Sequence, residues 1–343
     1  MKRFKYNILL FVLCAVFVQG CTLIDDDLSN CGYDYMLRYK MQLKTKMQTS
    51  LEEQLPADVD APARQAITDH LSPVFSDVAH DLDLWFYSGE SDQVVYSRHE
   101  NIEKSEAEFT FYLPVENYLH VASANIRDNA VVVLTDTASS ASALMQVELP
   151  NESIPCQKTG LYVEGLPISV ADTVGNHMFE VELTMVNSAV ALVIDTVDCP
   201  VGEVDVVLTG TADGYRMYSD EYVFDKERVV VADKVEIQSA SPAPAHHKLS
   251  AETRAAETKQ VCYTMVSFPS KESSSSWSVK VYAHMKDGSV TETILTPVSP
   301  LGAGELVVLK AQMDTEGRVH IVCDAEVGAV FKLDWKEGGV HDL

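Results

Sequence analysis

The sequence predicts a mainly β protein made of two antiparallel β-sandwich domains, with one short amphipathic helical segment in the first. Apolar and polar residues alternate with a period of two through most of the chain, and polar or glycine-containing turns separate the alternating segments. Short strands at this density are typical of sandwiches. No repeat of roughly 20 to 50 residues recurs, which disfavours a solenoid or a propeller.

The first predicted strand runs from Tyr33 to Leu43. Apolar or aromatic residues occupy its odd positions, and most even positions are polar or charged, among them Arg38 and Lys40. Alternation with a period of two places the two sets on opposite faces of a strand. The segment is therefore predicted to be a half-buried strand.

Further alternating segments predict strands along the rest of the chain. They lie at residues 82–87, 93–97, 107–113, 118–125, 130–134, 178–185, 189–197, 203–210, 222–224, 261–268, 277–284, 290–295, 305–311 and 319–322. Asp287-Gly288 falls between two of them and is typical of a hairpin turn.

The segment from Ala61 to Ala79 follows a helical period instead. Its apolar residues recur at spacings of three and four from Ile67 to Val78, which gives a helix one apolar face. Pro73 lies inside the segment. Because proline lacks a backbone N–H, we expect it to kink or divide the helix.

Changes in composition divide the chain into four predicted parts. These are a signal peptide at residues 1–20, a lipidated acidic tether at 21–32, an N-terminal sandwich at 33–168 and a C-terminal sandwich at 169–343. The boundary between the sandwiches lies near residues 165–175, where glycine and proline interrupt the alternation. Residues 239–258, rich in proline, alanine and charges, predict a mobile loop in the second sandwich.

The N-terminus is typical of an exported protein. Lys2, Arg3 and Lys5 precede an unbroken apolar run of eleven residues, from Ile8 to Val18. A membrane-spanning helix needs about 20 apolar residues, whereas the core of a signal peptide needs about 7 to 15. The run therefore predicts a signal peptide that is removed.

The residues after that run resemble the lipobox of bacterial lipoproteins. Small Gly20 stands immediately before Cys21. The resemblance implies cleavage between Gly20 and Cys21 and attachment of lipid to Cys21, and we expect no other cofactor. An ordinary secretory signal with Cys21 left free is the alternative, because Gln19 is bulkier and more polar than the residue usually found there.

The charge balance limits the partners of the chain. The 26 Lys and Arg fall to 23 when the three in the signal peptide are removed, whereas all 51 Asp and Glu remain, so the net charge becomes −28. We find no local basic stripe that would overcome the repulsion from phosphate, which excludes nucleic acid and disfavours an anionic bilayer as electrostatic partners. Membrane contact is therefore expected through the lipid alone.

The run Asp25 to Asp27 follows the lipidated cysteine closely. It resembles the acidic export signals of surface lipoproteins in Bacteroidetes-type bacteria. A solvated tether without a sorting role is the alternative.

The cysteines do not form a metal-binding pattern. Removal of Cys14 and lipidation of Cys21 leave five, at positions 31, 156, 199, 262 and 323. Five cannot all pair, and no CxxC or Cys/His spacing typical of zinc sites occurs. The sequence leaves their pairing open.

No catalytic residues are predicted. No part of the sequence supplies a nucleophile, a base and an orienting group together, so we expect a non-enzymatic protein. No metal site is predicted either, because His246-His247 lacks a nearby third ligand and no complete calcium-binding loop occurs. Arg254, in the predicted loop, is either a cleavage site for an Arg-specific protease or an ordinary solvated arginine.

Several segments together resemble one family, the fimbrillin-type anchor and minor-subunit lipoproteins of Bacteroidetes fimbriae, known as the FimB-like group. The matching segments, in order, are Cys21, residues 26–31, residues 35–40, residues 78–87 with 94–96, residues 118–125, residues 161–165 and residues 333–335. They extend over most of the mature chain. The insertion at 239–258 and the four cysteines after residue 31 depart from the family pattern.

The resemblance implies a transthyretin-like, Greek-key topology for both sandwiches. It also implies an outer-membrane lipoprotein that anchors or assembles a fimbria and engages a fimbrillin subunit. A sandwich with an incomplete sheet exposes unpaired N–H and C=O groups, so a partner strand can complete it by strand addition. The expected location is the cell surface, with fimbriae.

A glycan-binding surface lipoprotein of a polysaccharide-uptake system is the alternative. Sugar platforms use exposed aromatic rings, but Trp85, Trp277 and Trp335 lie within or beside predicted strands and are expected in the core. Tyr215 and Tyr218, in a turn-like stretch, are the aromatic candidates for such a platform.

Overall fold

A computed structural model describes most of the chain. The described residues are 35–44, 51–76, 78–104, 106–127, 129–135, 146–148, 151–171, 177–196, 200–237, 259–272, 276–322 and 333–336. The predicted signal peptide, the tether and the loop at 239–258 lie outside them.

Two helices and twenty-two strands make up the described residues. The helices are α1 (Leu51–Gln54) and α2 (Ala61–Leu71), and the strands are β1 (Tyr35–Lys44), β2 (Ala79–Ser88), β3 (Val94–Lys104), β4 (Glu106–Leu113), β5 (Asn117–Ala124), β6 (Val133–Thr135), β7 (Gln146–Glu148), β8 (Ser153–Pro155), β9 (Tyr162–Ser169), β10 (His177–Met185), β11 (Ser188–Thr196), β12 (Val201–Thr209), β13 (Gly214–Arg216), β14 (Glu221–Val223), β15 (Val229–Val231), β16 (Asp233–Val235), β17 (Lys259–Ser267), β18 (Ser278–Met285), β19 (Val290–Pro297), β20 (Leu306–Met313), β21 (Val319–Ile321) and β22 (Leu333–Lys336). The prediction of a mainly β protein is confirmed.

These strands form four sheets within the described residues. The large sheet has the order β3-β2-β5-β9-β10-β1-β4, and a five-stranded sheet has the order β16-β17-β11-β20-β21. A six-stranded sheet, β22-β19-β18-β12-β15-β8, and a small sheet, β14-β13-β7-β6, complete the set. The predicted transthyretin-like topology and the division at residue 168 stay predictions. Residue 168 lies within β9, which pairs with β10 in the large sheet.

The sheets are mixed, so the prediction of purely antiparallel sheets was wrong. Three strand pairs are parallel, namely β1 with β10, β11 with β20 and β8 with β15. Each pair joins strands that are distant in sequence, as parallel neighbours require because their connection is long. Apolar alternation reports which face of a strand is buried and carries no information about strand direction.

The large sheet curls until its two ends approach each other. β3 and β4 lie at opposite ends of its strand order, although one residue separates them in sequence. The ring centroid of Phe111 in β4 lies 5.3 Å from that of Phe86 in β2 and 5.3 Å from that of Tyr96 in β3. The aromatic side chains therefore fill the inside of the curl.

The five-stranded sheet is buried on both faces. In β11, Ala189, Ala191 and Val193 pack into a core shared with the large sheet and α2, whereas Val190 and Leu192 pack into a core shared with the six-stranded sheet. A strand buried on both faces needs apolar residues at successive positions. This explains the unbroken apolar run at the centre of β11.

The predicted helix is confirmed from Ala61 to Leu71, but its predicted extension to Ala79 was wrong. Ala63, Ile67 and Leu71 form its buried face. The backbone N–H of Ser72 donates to the Thr68 carbonyl at 2.9 Å and closes the last turn. Pro73 offers no N–H to the next turn, so the helix ends there, and Ala79 instead begins β2.

The helices have no membrane-spanning character. Neither of the two in the described residues is long and apolar enough to cross a bilayer. α1, which the sequence did not predict, is a single turn.

Two buried asparagines fix the chain entering β9. Asn125, at the end of β5, has a φ of 63°, which asparagine tolerates better than most residues. Its side chain accepts from His80 N–H at 2.6 Å and donates to the carbonyls of Val78 and Gly160 at 2.8 Å each. Asn187 accepts from Leu161 N–H at 3.1 Å, so one amide side chain acts on each side of this segment.

Substitution of Asn125 tests this role. Asn125→Ala removes three hydrogen bonds. It also places alanine, which has no polar side chain to compensate, at a positive φ. We therefore expect the free energy of unfolding to fall by roughly 3 kcal/mol. Asn125→Gly relieves the backbone strain only and should lose less. Urea unfolding of the three proteins checks the order, and an Asn125→Ala protein as stable as the parent would contradict the assignment.

Candidate functional site

β1 is the strand through which the predicted tether enters the folded protein. It pairs antiparallel with β4 over eight register positions and parallel with β10 over eight. Its side chains alternate as predicted, since Met41 is fully buried whereas Arg38 and Gln42 are exposed. A strand paired on both edges and packed on one face is firmly held.

The four sheets differ in how their edges are protected. Six of the eight edge strands among the described residues contain three or four residues, and only β3 and β4 are longer. Very short edges offer little to a partner strand, because few N–H and C=O groups are left unpaired. The large sheet therefore provides the candidate edges.

β4 is the more regular of these two edges. Its register with β1 is unbroken, whereas the register of β3 with β2 shifts at two points. Irregular pairing twists an edge away from a partner. No strand in the described residues pairs with the other side of β4, so its outward backbone groups form the candidate site for strand addition.

The inner face of β4 is supported by aromatic packing. The Arg98 guanidinium of β3 lies 5.1 Å from the ring centroid of Phe109 and 5.8 Å from that of Phe111. Cation–π contacts of this kind stabilise by about 0.5–1 kcal/mol at exposed sites. Arg98 thus covers the seam where β3 and β4 approach each other.

The outer face beside this edge contains a cleft with two cations. Arg38 and Lys40 of β1, two residues apart, lie on that face, and a cavity of about 450 Å³ is lined by Arg38, Lys40, Glu108, Phe109, Thr110 and Met178. Neither cation forms an ion pair with a described carboxylate. Lys40 remains unpaired although Glu108 and Glu180 are its register neighbours on the two adjacent strands.

A buried histidine lies behind this face, inside the curl of the large sheet. His120 stacks on Phe86 with ring centroids 4.2 Å apart, and its Nδ1 lies 2.9 Å from the Trp85 carbonyl oxygen. Burial lowers the pKa of His120 to about 4, although the hydrogen bond to Trp85 opposes that shift. The ring is therefore neutral at pH 7.

His120 makes the fold sensitive to acid. Its pKa rises from about 4 to the ordinary 6.5 on unfolding, so protons favour the unfolded chain. The stability from this group is complete above pH 6.5, falls as the pH falls, and is lost below about 4, a change on the order of 3 kcal/mol.

We expect His120→Gln to flatten this dependence. Urea midpoints measured between pH 7.5 and 4 should fall less steeply for the variant than for the parent. Parallel curves would contradict a buried, neutral His120.

A second polar group occupies the opposite face of β2. Asp83 is almost fully buried, accepts from Arg127 Nε at 3.0 Å and lies 3.1 Å from His99 Nδ1. The Arg127 guanidinium therefore compensates the negative charge of the buried Asp83 carboxylate.

The site residues predicted from the N-terminus and the loop lie outside the described residues. These are Gly20, Cys21, the acidic run at residues 25–27, His246, His247 and Arg254. Their roles in cleavage, lipidation, sorting and proteolysis therefore stay predictions.

Tyr215 and Tyr218, the aromatic candidates for the alternative of glycan binding, do not form an exposed pair. Tyr215 is buried and its hydroxyl donates to Asp220 at 2.7 Å, whereas Tyr218 is 42% exposed. Trp85 and Trp277 are buried, as predicted. The Trp335 side chain lies outside the described part of the structure.

Cys156 and Cys262 are free, buried thiols. Burial raises the pKa of Cys156 to about 11 and that of Cys262 to about 12, so neither is a reactive thiolate at pH 7. Cys31, Cys199 and Cys323 lie outside the described residues. Among the described residues, no three His, Cys, Asp or Glu side chains cluster as metal ligands would.

Sequence reasoning named Arg38 and Lys40 only as polar positions of a strand and did not identify a site. The signal available in the sequence for this site was the presence of two cations two residues apart in a strongly acidic chain. The position of β4 at a sheet edge had no sequence signal, because edge and central strands can share the same alternation.

Comparison with known proteins shows similarity at the level of structure only. No protein-family model matches the chain, and no curated protein sequence matches it. Two candidate adhesins match in structure. One, from Bacteroides thetaiotaomicron VPI-5482, has a TM-score of 0.52 at 13% identity, over 84% of this chain and 96% of the other. The other, from Bacteroides ovatus, has a TM-score of 0.51 at 11% identity, over 93% and 99%.

The fimbrial anchor protein Mfa2 from Porphyromonas gingivalis also matches, with a TM-score of 0.48 at 10% identity, over 90% of this chain and 100% of the other. At such identities the comparisons show a fold shared with the two candidate adhesins over nearly their whole length. They do not show the function of this chain.

Proposed function

We propose that this chain is a non-enzymatic, lipid-anchored protein of the outer membrane that holds a fimbrial subunit at the cell surface by strand addition to β4. The observation that carries the proposal is the position of β4, a long and regular free edge directly beside β1. β1 is also the first described strand after Cys21. The two attachments, to lipid and to partner, are therefore adjacent.

The adjacency gives a short path for mechanical force. A strand added to β4 is connected to the membrane through β4, β1 and the tether, without the other three sheets. β1 begins at Tyr35, whose register partner is Leu113, the last residue of β4. If β1 is pulled at its first residue while β4 is held at its own first residue, the two forces act along the strands in opposite directions. The eight register positions then share the load in shear.

The shared fold supports a role in adhesion, since the two neighbours described above with TM-scores of 0.52 and 0.51 are candidate adhesins. The N-terminal resemblance supports the anchor role. Lipid on Cys21 with more than one acyl chain gives stable anchoring, whereas a single chain binds marginally. Glycan binding is less well supported, because the tyrosine pair expected to form a platform is half buried.

Replacement of the lipidated cysteine tests the anchor. Cys21→Ala should move the protein from the membrane fraction to the soluble fraction and release fimbriae into the medium, or change their length. Fractionation and electron microscopy of wild-type and variant cells check this. If the variant stays in the membrane or fimbriae are unchanged, the anchor role is wrong.

Site-specific crosslinking tests the edge. A photoreactive phenylalanine in place of Tyr112, on β4 and 59% exposed, should crosslink to a fimbrillin in intact cells. The same residue in place of Tyr218, 42% exposed but outside the large sheet, is the matched control. A crosslink from position 218 and none from 112 would place the partner elsewhere.

A further inference from the structure

We infer that the cleft beside Arg38 and Lys40 selects the partner by accepting a carboxylate from an extended acidic segment seated along β4. The inference rests on the proposed strand addition and adds the chemistry of the partner strand.

The first support is electrostatic. The chain carries a formal charge of −25, yet two cations on one face of β1 are left without an ion pair to any described carboxylate. A guanidinium offers donors in a fork that matches a carboxylate, and such charge-assisted pairs are roughly twice as strong as neutral hydrogen bonds. Lys40 has two glutamates, Glu108 and Glu180, as its register neighbours, whereas the register neighbours of Arg38 are the uncharged Thr110 and Met178. The Arg38 end of the cleft is therefore complementary to an anionic side chain.

The second support is geometric. Thr110 is the register partner of Arg38 and separates it from the free edge. Neighbouring strands lie about 4.8 Å apart, so an added strand lies about 10 Å from β1. A long side chain from β1 and one from the added strand can meet across that distance, above the short side chain of Thr110. The cavity of about 450 Å³, which Thr110 lines, lies at the same point. A glutamate facing Thr110 fits this arrangement.

The third support is the apolar surroundings of the cleft. Met178, the register partner of Arg38 on β10, is 64% exposed, and Tyr112 on β4 is 59% exposed. These values are the highest among the exposed large hydrophobic residues of the described part. Met, Tyr and Arg are enriched at protein interfaces. We therefore expect an apolar residue two positions from the carboxylate, where it covers Tyr112.

Synthetic peptides provide the test. Ten-residue peptides with valine at the inner-facing positions carry Glu, Gln or Lys at the central outer-facing position. Binding is measured to the complete mature chain with Cys21→Ala. We expect the Glu peptide to bind about tenfold tighter than the Lys peptide, and the Gln peptide to fall between them.

Matched variants assign the preference to the cleft. Arg38→Gln/Lys40→Gln should abolish the difference between the Glu and Lys peptides. Lys234→Gln/Lys286→Gln, two exposed lysines with the same change in charge, should preserve it. Thermal melts confirm that both variants fold. An unchanged preference in the Arg38→Gln/Lys40→Gln protein would overturn the inference.

The remaining outcomes separate this inference from the proposed function. If the Lys peptide binds as tightly as the Glu peptide while both crosslink from position 112, the acidic preference is wrong and strand addition stands. If no peptide binds or crosslinks, both are wrong. If replacing Asp25, Asp26 and Asp27 by Asn strengthens binding of the Glu peptide tenfold, the chain's own acidic run competes for the cleft, and assignment of the cleft to a partner is overturned.

Discussion

The pairing of β1 with β4 on one side and β10 on the other is the interaction on which the large sheet depends. β10 is joined directly to β9 at only two register positions, so β1 connects the last strand of the sheet, β4, to the rest. Sixteen register pairs in total hold β1 in place. Met41 on its inner face closes the core above the aromatic cluster of Phe86, Phe111 and Tyr96. Loss of β1 would separate β4 from its sheet and expose that core.

The large sheet is in turn held against the rest of the protein by the five-stranded sheet. β11 contributes alternate residues to two cores, so neither core can be altered without affecting that strand. Polar groups fix the connections between the layers. Asn125 and Asn187 fix the segment before β9, and the Asp83–Arg127 pair balances a buried carboxylate. The side-chain amides of Asn125 and Asn187 and the Asp83 carboxylate all have hydrogen-bond partners, which is the condition under which burial is tolerated.

The sequence allowed the strands to be predicted wherever one face was apolar. β1, β5 and the hairpin at Asp287-Gly288 follow that pattern, and Gly288 has the expected positive φ of 90°. Five three-residue strands were missed, because so short a segment shows no period: β7, β8, β13, β15 and β16. The other three, β6, β14 and β21, overlap predicted strands. The mixed strand directions were missed, because alternation reports burial alone. The cleft was not predicted, although Arg38 and Lys40 were correctly placed among the polar positions of β1. Its neighbours Thr110 and Met178 come from distant segments, and only the three-dimensional pairing brings them together.

In the proposed anchor, force passes from the edge of β4 through β1 to the tether in shear. Single-molecule pulling tests it, with one handle at residue 21 and the other at a cysteine replacing either Glu108 or Tyr112. Tyr112 lies near the point where the tether enters, so pulling there peels β1 from β4 one pair at a time, whereas pulling at Glu108 loads several pairs together. A clearly higher rupture force is expected for the handle at 108. Equal forces at the two positions would contradict it.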